Sequence, residues 1–395
     1  MYGPEPFVCK AKLTRRVSLG LSSIFQEHHV WRRFLAADKK TDKHVVAAAV
    51  DSLVGQKKSS KLPSGESRGP LYITAKTLAQ LESLSHELET LAGVPILFVR
   101  PTLIYLESLE YDGLADLPED EWFEGEKLEY EAKRTVEAKS PNGHNRICVR
   151  AQAVQGQWLE DLQSGALGHD DMVDAKSRDS VFQNKYDVKN EWYGKVMCFG
   201  PGACGTSILV DQTKGASLPE DAKDLLRAAF QEATAHGPLM GEPLHGVRLN
   251  LTDIALHADA SQRTLDQLIP ALQQATKDAL SKGKPQVLEP FYRMQLRNVP
   301  SRDMEAVSAA IGRWGGRMEK IDKDNGMFKD VSHFLPARHE KEALEALGDK
   351  AQSYIVSTES SHYELMYGGD PTDIYSTLGY MVADVRFLKT FESYD

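Results

Sequence analysis

Apolar and polar residues alternate from Phe7 to Leu13 (FVCKAKL), which predicts a strand. From Ser23 to Asp38 the apolar positions, among them Ile24, Val30, Phe34 and Leu35, fit a helix instead. HVVAAAV and PLYITAK read as two strands separated by a Lys/Ser/Gly-rich loop, Gln56 to Gly69. Leu78 to Ala92 places Leu81, Leu84, Leu88 and Leu91 at helical spacing, and VPILFV follows as an apolar strand. The order is β-α-β-β-α-β. It recurs near the C-terminus: FYRMQLRNV as a strand, Met304 to Trp314 as a helix stopped by Gly315-Gly316, strands at Arg317 to Lys323 and Met327 to Phe334, a helix from Glu340 to Ala351, and a strand from Tyr354. Two small domains of like order therefore flank a middle region, and the expected class is α+β with both flanking domains ferredoxin-like.

Charge changes the picture at one place. The 395-residue chain has a formal net charge of −10, against a surface that grips nucleic acid all over. Between Glu107 and Glu131 stand eleven acidic residues and one basic residue, Lys127, so this segment accounts for the whole excess. Any RNA contact must come from local basic groups. The stretch reads as a solvated acidic connector, except that Trp122, Phe123 and Tyr130 interleave with the acids and suggest packing on a basic surface of the chain or of a partner. No run of 18 apolar residues occurs and the N-terminus does not read as a secretion signal, so a cytoplasmic protein with no membrane contact is expected. Cys9, Cys148, Cys198 and Cys204 fit no common zinc spacing and read as free thiols; no metal and no cofactor is expected.

Two segments imitate a nucleotide site and fail on chemistry. GPGACGTS (Gly200 to Ser207) has the glycines of a phosphate loop, but Thr206 stands where a lysine must neutralise the β- and γ-phosphates. Asn184-Lys185-Tyr186-Asp187 matches a guanine-reading pattern without the strand that would position it. The histidines are scattered except His28-His29, and no metalloprotease helix or nucleophile elbow is present, so no catalytic residue is assigned. Three polar loops between apolar strands stand out instead: SPNGHNR (Ser140 to Arg146), MCFGPGACGTSILVDQTKG (Met197 to Gly215) and GEPLHGVRLNLTDIALHADASQR (Gly241 to Arg263).

Taken in order with QLIP, these loops resemble domain IV of eukaryotic and archaeal translation elongation factor 2. LEPFYRMQL resembles the start of its domain V, YELMYGGDP the return toward its C-terminus, and residues 1–110 are similar to its domain III in element order. The resemblance implies domain III-like residues 1–110, an acidic connector 111–135, a domain IV-like unit 136–287 (ribosomal protein S5 domain 2-like), a domain V-like unit 288–360, and a segment 361–395 returning to domain IV. It implies a fingertip reaching the ribosomal A site, built from Ser140, Pro141, Asn142, Gly143, His144, Asn145 and Arg146 with His257, Asp259, Gln262 and Arg263. Such side chains suit hydrogen bonding to phosphate and 2′-hydroxyl groups.

Two departures shape the expected role. The family's GTPase domain should precede domain III, and this chain starts at domain III, so no GTPase activity is expected. Where the family reads His-Ala-Asp-Ala-x-His-Arg-Gly-Gly-Gly-Gln, with the second His converted to diphthamide, this chain has Gln262, and Thr264, Leu265 and Asp266 replace the glycines. An amide cannot take that modification, and the loop must change shape. The leading expectation is a ribosome-binding regulator, hibernation factor or inhibitor. The alternatives are one half of a split factor with a separate GTPase subunit, and a structural subunit of a spliceosome-like ribonucleoprotein.

Overall fold

The computed structural model describes residues 31–34, 72–75, 78–92, 102–113, 123, 125–164, 181, 185–186, 194–201, 205–214 and 218–366. The strands expected at Phe7 to Leu13, HVVAAAV and VPILFV, the loop Gln56 to Gly69, His28-His29, and the segment after Met366 lie outside them. The chain divides into two compact units, one including His28–Tyr105 and Leu288–Met366, the other including Leu106–Val287. Both mix helices with sheets, an α+β construction.

In the first unit β1 (Trp31–Phe34) lies between β2 (Tyr72–Ala75) and β3 (Thr102–Leu103), antiparallel to both, and α1 (Leu78–Ala92) follows β2. The helix expected over Ser23 to Asp38 is thus overturned at residues 31–34. Trp31 pairs with Ala75 on one side and Leu103 on the other, so both backbone edges are engaged in a ladder that local periodicity cannot foresee. α1 forms as predicted, with Leu81 buried.

The second unit opens with β4 (Leu106–Leu109), whose burial corrects the reading of the acidic stretch as a solvated connector from its first residue. Then come α2 (Glu126–Arg134), β5 (Thr135–Lys139), β6 (Arg146–Ala153), α3 (Gln157–Ser164), β7 (Val196–Gly200), β8 (Ser207–Asp211), α4 (Glu220–Ala235), β9 (Val247–Ala255) and α5 (Leu265–Lys282). The sheet order is β5-β6-β9-β8-β7, with β8 and β9 parallel and the other pairs antiparallel. Parallel pairing demands a crossover, and α4 supplies it. Ala222, Leu226, Ala229, Phe230 and Ala233 fall on one stripe of α4, and Leu268, Ala271, Leu272, Ala275 and Ala279 on one stripe of α5. Both stripes pack on Ile147, Val149, Ala151, Leu209, Leu249 and Leu251, the inward positions of β6, β8 and β9.

Glu107 ties β4 into this unit. Its carboxylate accepts N–H bonds from Leu239 (2.7 Å), Met240 (2.8 Å) and Glu242 (2.9 Å), while its backbone donates to the Pro243 carbonyl and accepts from His245. Burial pushes the carboxyl up to about 7, against the pull of the three N–H donors. Gly237 is obligatory beside it, since a Cβ there would lie 2.3 Å from Oε2.

The first unit resumes with β10 (Pro285–Pro300), α6 (Met304–Gly312), β11 (Arg317–Asp324), β12 (Phe328–Pro336), α7 (Glu340–Gln352) and β13 (Ile355–Leu365), strand order β11-β12-β10-β13, all antiparallel. β13 extends to Leu365, where Leu365, Glu364 and Tyr363 keep their partners on Leu288, Glu289 and Pro290. Met294, Leu296, Val331 and Leu335 face Val307, Ile311 and Ala343 of the two helices. His333 is fully buried, with Nε2 3.3 Å from Ser308 Oγ, and burial lowers it to about 4.

Glu107→Ala strips three buried N–H groups of their acceptor and should cost the second unit roughly 2–4 kcal/mol in urea unfolding. Gly237→Ala should act on the same contact, so the double variant falls short of the sum of the two. The His333 effect has a definite sign. The folded imidazole stays neutral down to about 4 while the unfolded one takes a proton near 6.5, so its stabilisation is present above pH 6.5 and lost as pH falls from 6.5 toward 4. Hydrogen exchange of β12 across that window should show the loss, and His333→Gln should flatten it.

Candidate functional site

Two loops meet at the end of the second unit's sheet. The first joins β5 to β6. Ser140 N donates to the Asn145 carbonyl (2.9 Å), Gly143 N donates to the Ser140 carbonyl (2.7 Å), and Gly143 takes φ +71°, which explains glycine there. Asn142 Oδ1 accepts from Ser140 Oγ (2.6 Å) and His144 N (3.0 Å), closing the turn from within.

The second loop leaves β9 at Ala255, passes a single 3-10 turn at Ala260–Gln262 and starts α5 at Leu265. Asp259 caps the turn by accepting from Ser261 N (2.9 Å), a bond that lowers its carboxyl below the usual range. No residue from His257 to Leu265 has positive φ. With Thr264, Leu265 and Asp266 in place of glycines, the chain turns directly into a helix.

The loops are stitched at one atom. The Gln262 carbonyl accepts Asn142 Nδ2 (2.9 Å) and Asn145 Nδ2 (2.8 Å), Asn145 Oδ1 accepts His257 N (3.0 Å), and Gln267 Oε1 accepts Asn142 N (2.9 Å). Every amide group of Asn145 has a partner, which is why a side chain only 1% exposed costs nothing in orphaned polarity.

The eleven residues singled out from sequence thus fall into three kinds. Pro141, Gly143, His144, His257 and Asp259 are exposed, with the His144 and His257 rings 5.3 Å apart. Ser140, Asn142 and Asn145 hold the loops together, and Gln262 does so through its backbone. Arg146 and Arg263 are engaged internally: Arg146 with Asp253 and Glu137, Arg263 with Asp221 (2.7 Å) and the His257 carbonyl (3.3 Å). Both arginines thus carry carboxylate partners, and the Arg146 side chain remains 41% exposed. Gln267, Asp221, Asp253 and Glu137 were not foreseen. Only Gln267 carried a signal, as the last residue of the quoted fingertip pattern.

The failed nucleotide motifs also find their physical roles. Thr206 is fully buried, its Oγ1 2.8 Å from His245 Nδ1, and a Cβ on Gly205 would lie 2.1 Å from the Gly200 carbonyl carbon. These glycines allow the β7–β8 turn to close. Lys185 and Tyr186 both bind Asp161 (2.9 and 2.7 Å), while Asn184 and Asp187 lie outside the described residues. Cys148 and Cys198 are free thiols; burial raises both, Cys198 to about 12, which leaves it inert. Cys9 and Cys204 lie outside the described residues, and among those described no group of His, Cys, Asp or Glu could hold a metal.

Residues 169–284 match the family model of elongation factor G, domain IV. The chain contains a domain of the elongation factor G and elongation factor 2 type. The matched stretch covers β7 to β9, α4, all of α5 and the His257–Arg263 loop, so one of the two loops falls within the match, and the Ser140–Arg146 turn lies ahead of it. No helix among the described residues is long and apolar enough to cross a membrane.

Asn145→Ala removes the link among Ser140, Gln262 and His257 at once. It should cost about 2 kcal/mol and raise amide exchange of His257 to Arg263, with no change in β6 to β9. Unaltered exchange in that loop would show that the stitch does not hold it.

Proposed function

We propose that this protein binds the ribosome through domain IV, setting the tip formed by the Ser140–Arg146 and His257–Arg263 loops against decoding-centre RNA at the A site, and that it acts as a regulator, hibernation factor or inhibitor of translation. The observation that carries the reading is the joining of these two separate loops at the Gln262 carbonyl, with His144 and His257 presented outward. An exposed imidazole pair on a rigid mount suits stacking and hydrogen bonding to unpaired bases. With Arg146 and Arg263 paired to carboxylates, phosphate contact falls mainly to Lys139 and Lys214, which are exposed and make no ion pair among the described residues.

Nucleotide hydrolysis by this chain forms no part of the proposal. The burial of Thr206 and the tight closure at Gly200 and Gly205 support that view, since they give the GPGACGTS segment a packing role. The flanking β-α-β-β-α-β order of residues 288–365 supports a domain V-like, ferredoxin-like neighbour.

Sedimentation with 80S ribosomes at low salt tests the reading. The wild-type chain should co-sediment, and the His144→Ala/His257→Ala double variant should bind about tenfold more weakly with unchanged thermal stability. Two free lysines imply a shallow salt dependence, with a log-log slope of about −1.4 on single-stranded RNA. No co-sedimentation, or binding indifferent to both tip and lysine variants, would overturn the proposal.

A further inference from the structure

The second unit's sheet has a face that the tip does not use. On the side away from α4 and α5, β6 and β9 carry Arg150, Gln152, Arg248 and Asn250, all buried. Beside them, on the same side of the sheet, Val154, Trp158, Val196, Phe199, Ile208 and Val210 form an ordinary apolar cluster. The contrast is informative, because a covered sheet face is normally filled with apolar side chains and a buried polar group is costly unless every atom is matched.

Here the matching is incomplete. Gln152 Oε1 accepts Arg248 Nη2 (2.9 Å) and Asn250 Nδ2 (2.6 Å), and Gln212 Oε1 accepts Arg150 Nη2 (3.1 Å). Arg150 Nε and Asn250 Oδ1 have no hydrogen-bond partner, although the residues are 5% and 0% exposed. The remaining Arg150 contact is Glu131 of α2, at 3.1 Å.

α2 is an unusual cover. None of its residues is buried, and Leu128 is 71% exposed, with Phe123 just ahead at 82%. It is held by polar contacts: Glu131 on Arg150, and Tyr130 (2.9 Å) and Arg134 (2.7 Å) on Asp112. A helix with no apolar anchor opens at low cost compared with the core.

We infer that α2 is a displaceable cover held on Arg150, at the edge of a second RNA-binding platform formed by Arg150, Gln152, Arg248 and Asn250, in which a phosphate of single-stranded RNA takes the place of the Glu131 carboxylate. Two guanidinium groups supply the charge and the fork geometry for a phosphate, and the amides, with an unmatched acceptor at Asn250, supply donors and acceptors for a base edge or a 2′-hydroxyl. In the closed form Glu131 holds Arg150 through Nη2 and the platform is silent. The site is separate from the fingertip and stands or falls independently of it.

The test uses the full chain and a fluorescein-labelled 12-nucleotide oligo(U), read by anisotropy. Asp112→Ala/Tyr130→Phe unties α2, and Lys133→Pro unwinds it from an exposed position by steric clash; hydrogen exchange identifies the variants in which the α2 amides are released. Those lifted variants should bind oligo(U) at least about tenfold more tightly than wild type. Adding Arg150→Gln should cancel the gain, whereas adding His144→Ala/His257→Ala should leave it intact. A lifted helix with no tightening, or a gain that survives Arg150→Gln, would overturn the inference. A gain abolished by the histidine changes instead would assign the binding to the tip.

Discussion

One carbonyl oxygen, that of Gln262, organises the end of domain IV. A loop between a strand and a helix leaves backbone groups exposed to two competing claims, from water and from neighbouring side chains. Two asparagines from a turn more than a hundred residues earlier settle the competition by donating to the same oxygen. Once that is done, His257 N has an acceptor in Asn145, and α5 can start at Leu265. The helix stripe of Leu268, Ala271 and Leu272 then lies on the sheet. The position of the tip and the start of α5 therefore share the same local arrangement.

The sheet beneath serves two chemistries. Strand alternation sends Ile147, Val149 and Ala151 into the helical layer and Arg146, Cys148, Arg150 and Gln152 to the opposite side. The first set resembles any α/β core. The second cannot pack without hydrogen bonds, and the chain answers with Glu131 of α2 at one end and ion pairs to Asp253 and Glu137 at the other. Charge compensation covers part of this polar set and leaves Arg150 Nε and Asn250 Oδ1 unmatched.

Much of this was legible beforehand where one physical rule acted alone. The helices of residues 78–92, 304–312 and 340–352 and the strands of 288–365 follow from spacing and glycine stops. The two loops were legible as special turns, and the resemblance to domain IV suggested that they belong together. What could not be read was which polar residues look outward. Arg146 and Arg263 have the composition of phosphate ligands, but each also pairs with an aspartate far along the chain, 107 and 42 positions away. Glu107 belongs to an acidic run and yet sits at the centre of three N–H donors, since burial depends on the loop at 237–245 folding over it. Residues 31–34 failed for a similar reason, as partners on both edges outweigh a local helical period.

The absence of left-handed backbone between His257 and Leu265 has a thermodynamic side. A glycine-rich segment retains many conformations until a ligand selects one, and that selection subtracts from affinity. Here the ordering entropy is settled during folding, with threonine, leucine and aspartate narrowing the unfolded ensemble as well. On the proposed reading the tip would meet RNA already shaped, so association would demand little reorganisation, and discrimination between targets would rest on fit at His144 and His257 and show itself mainly in dissociation rates.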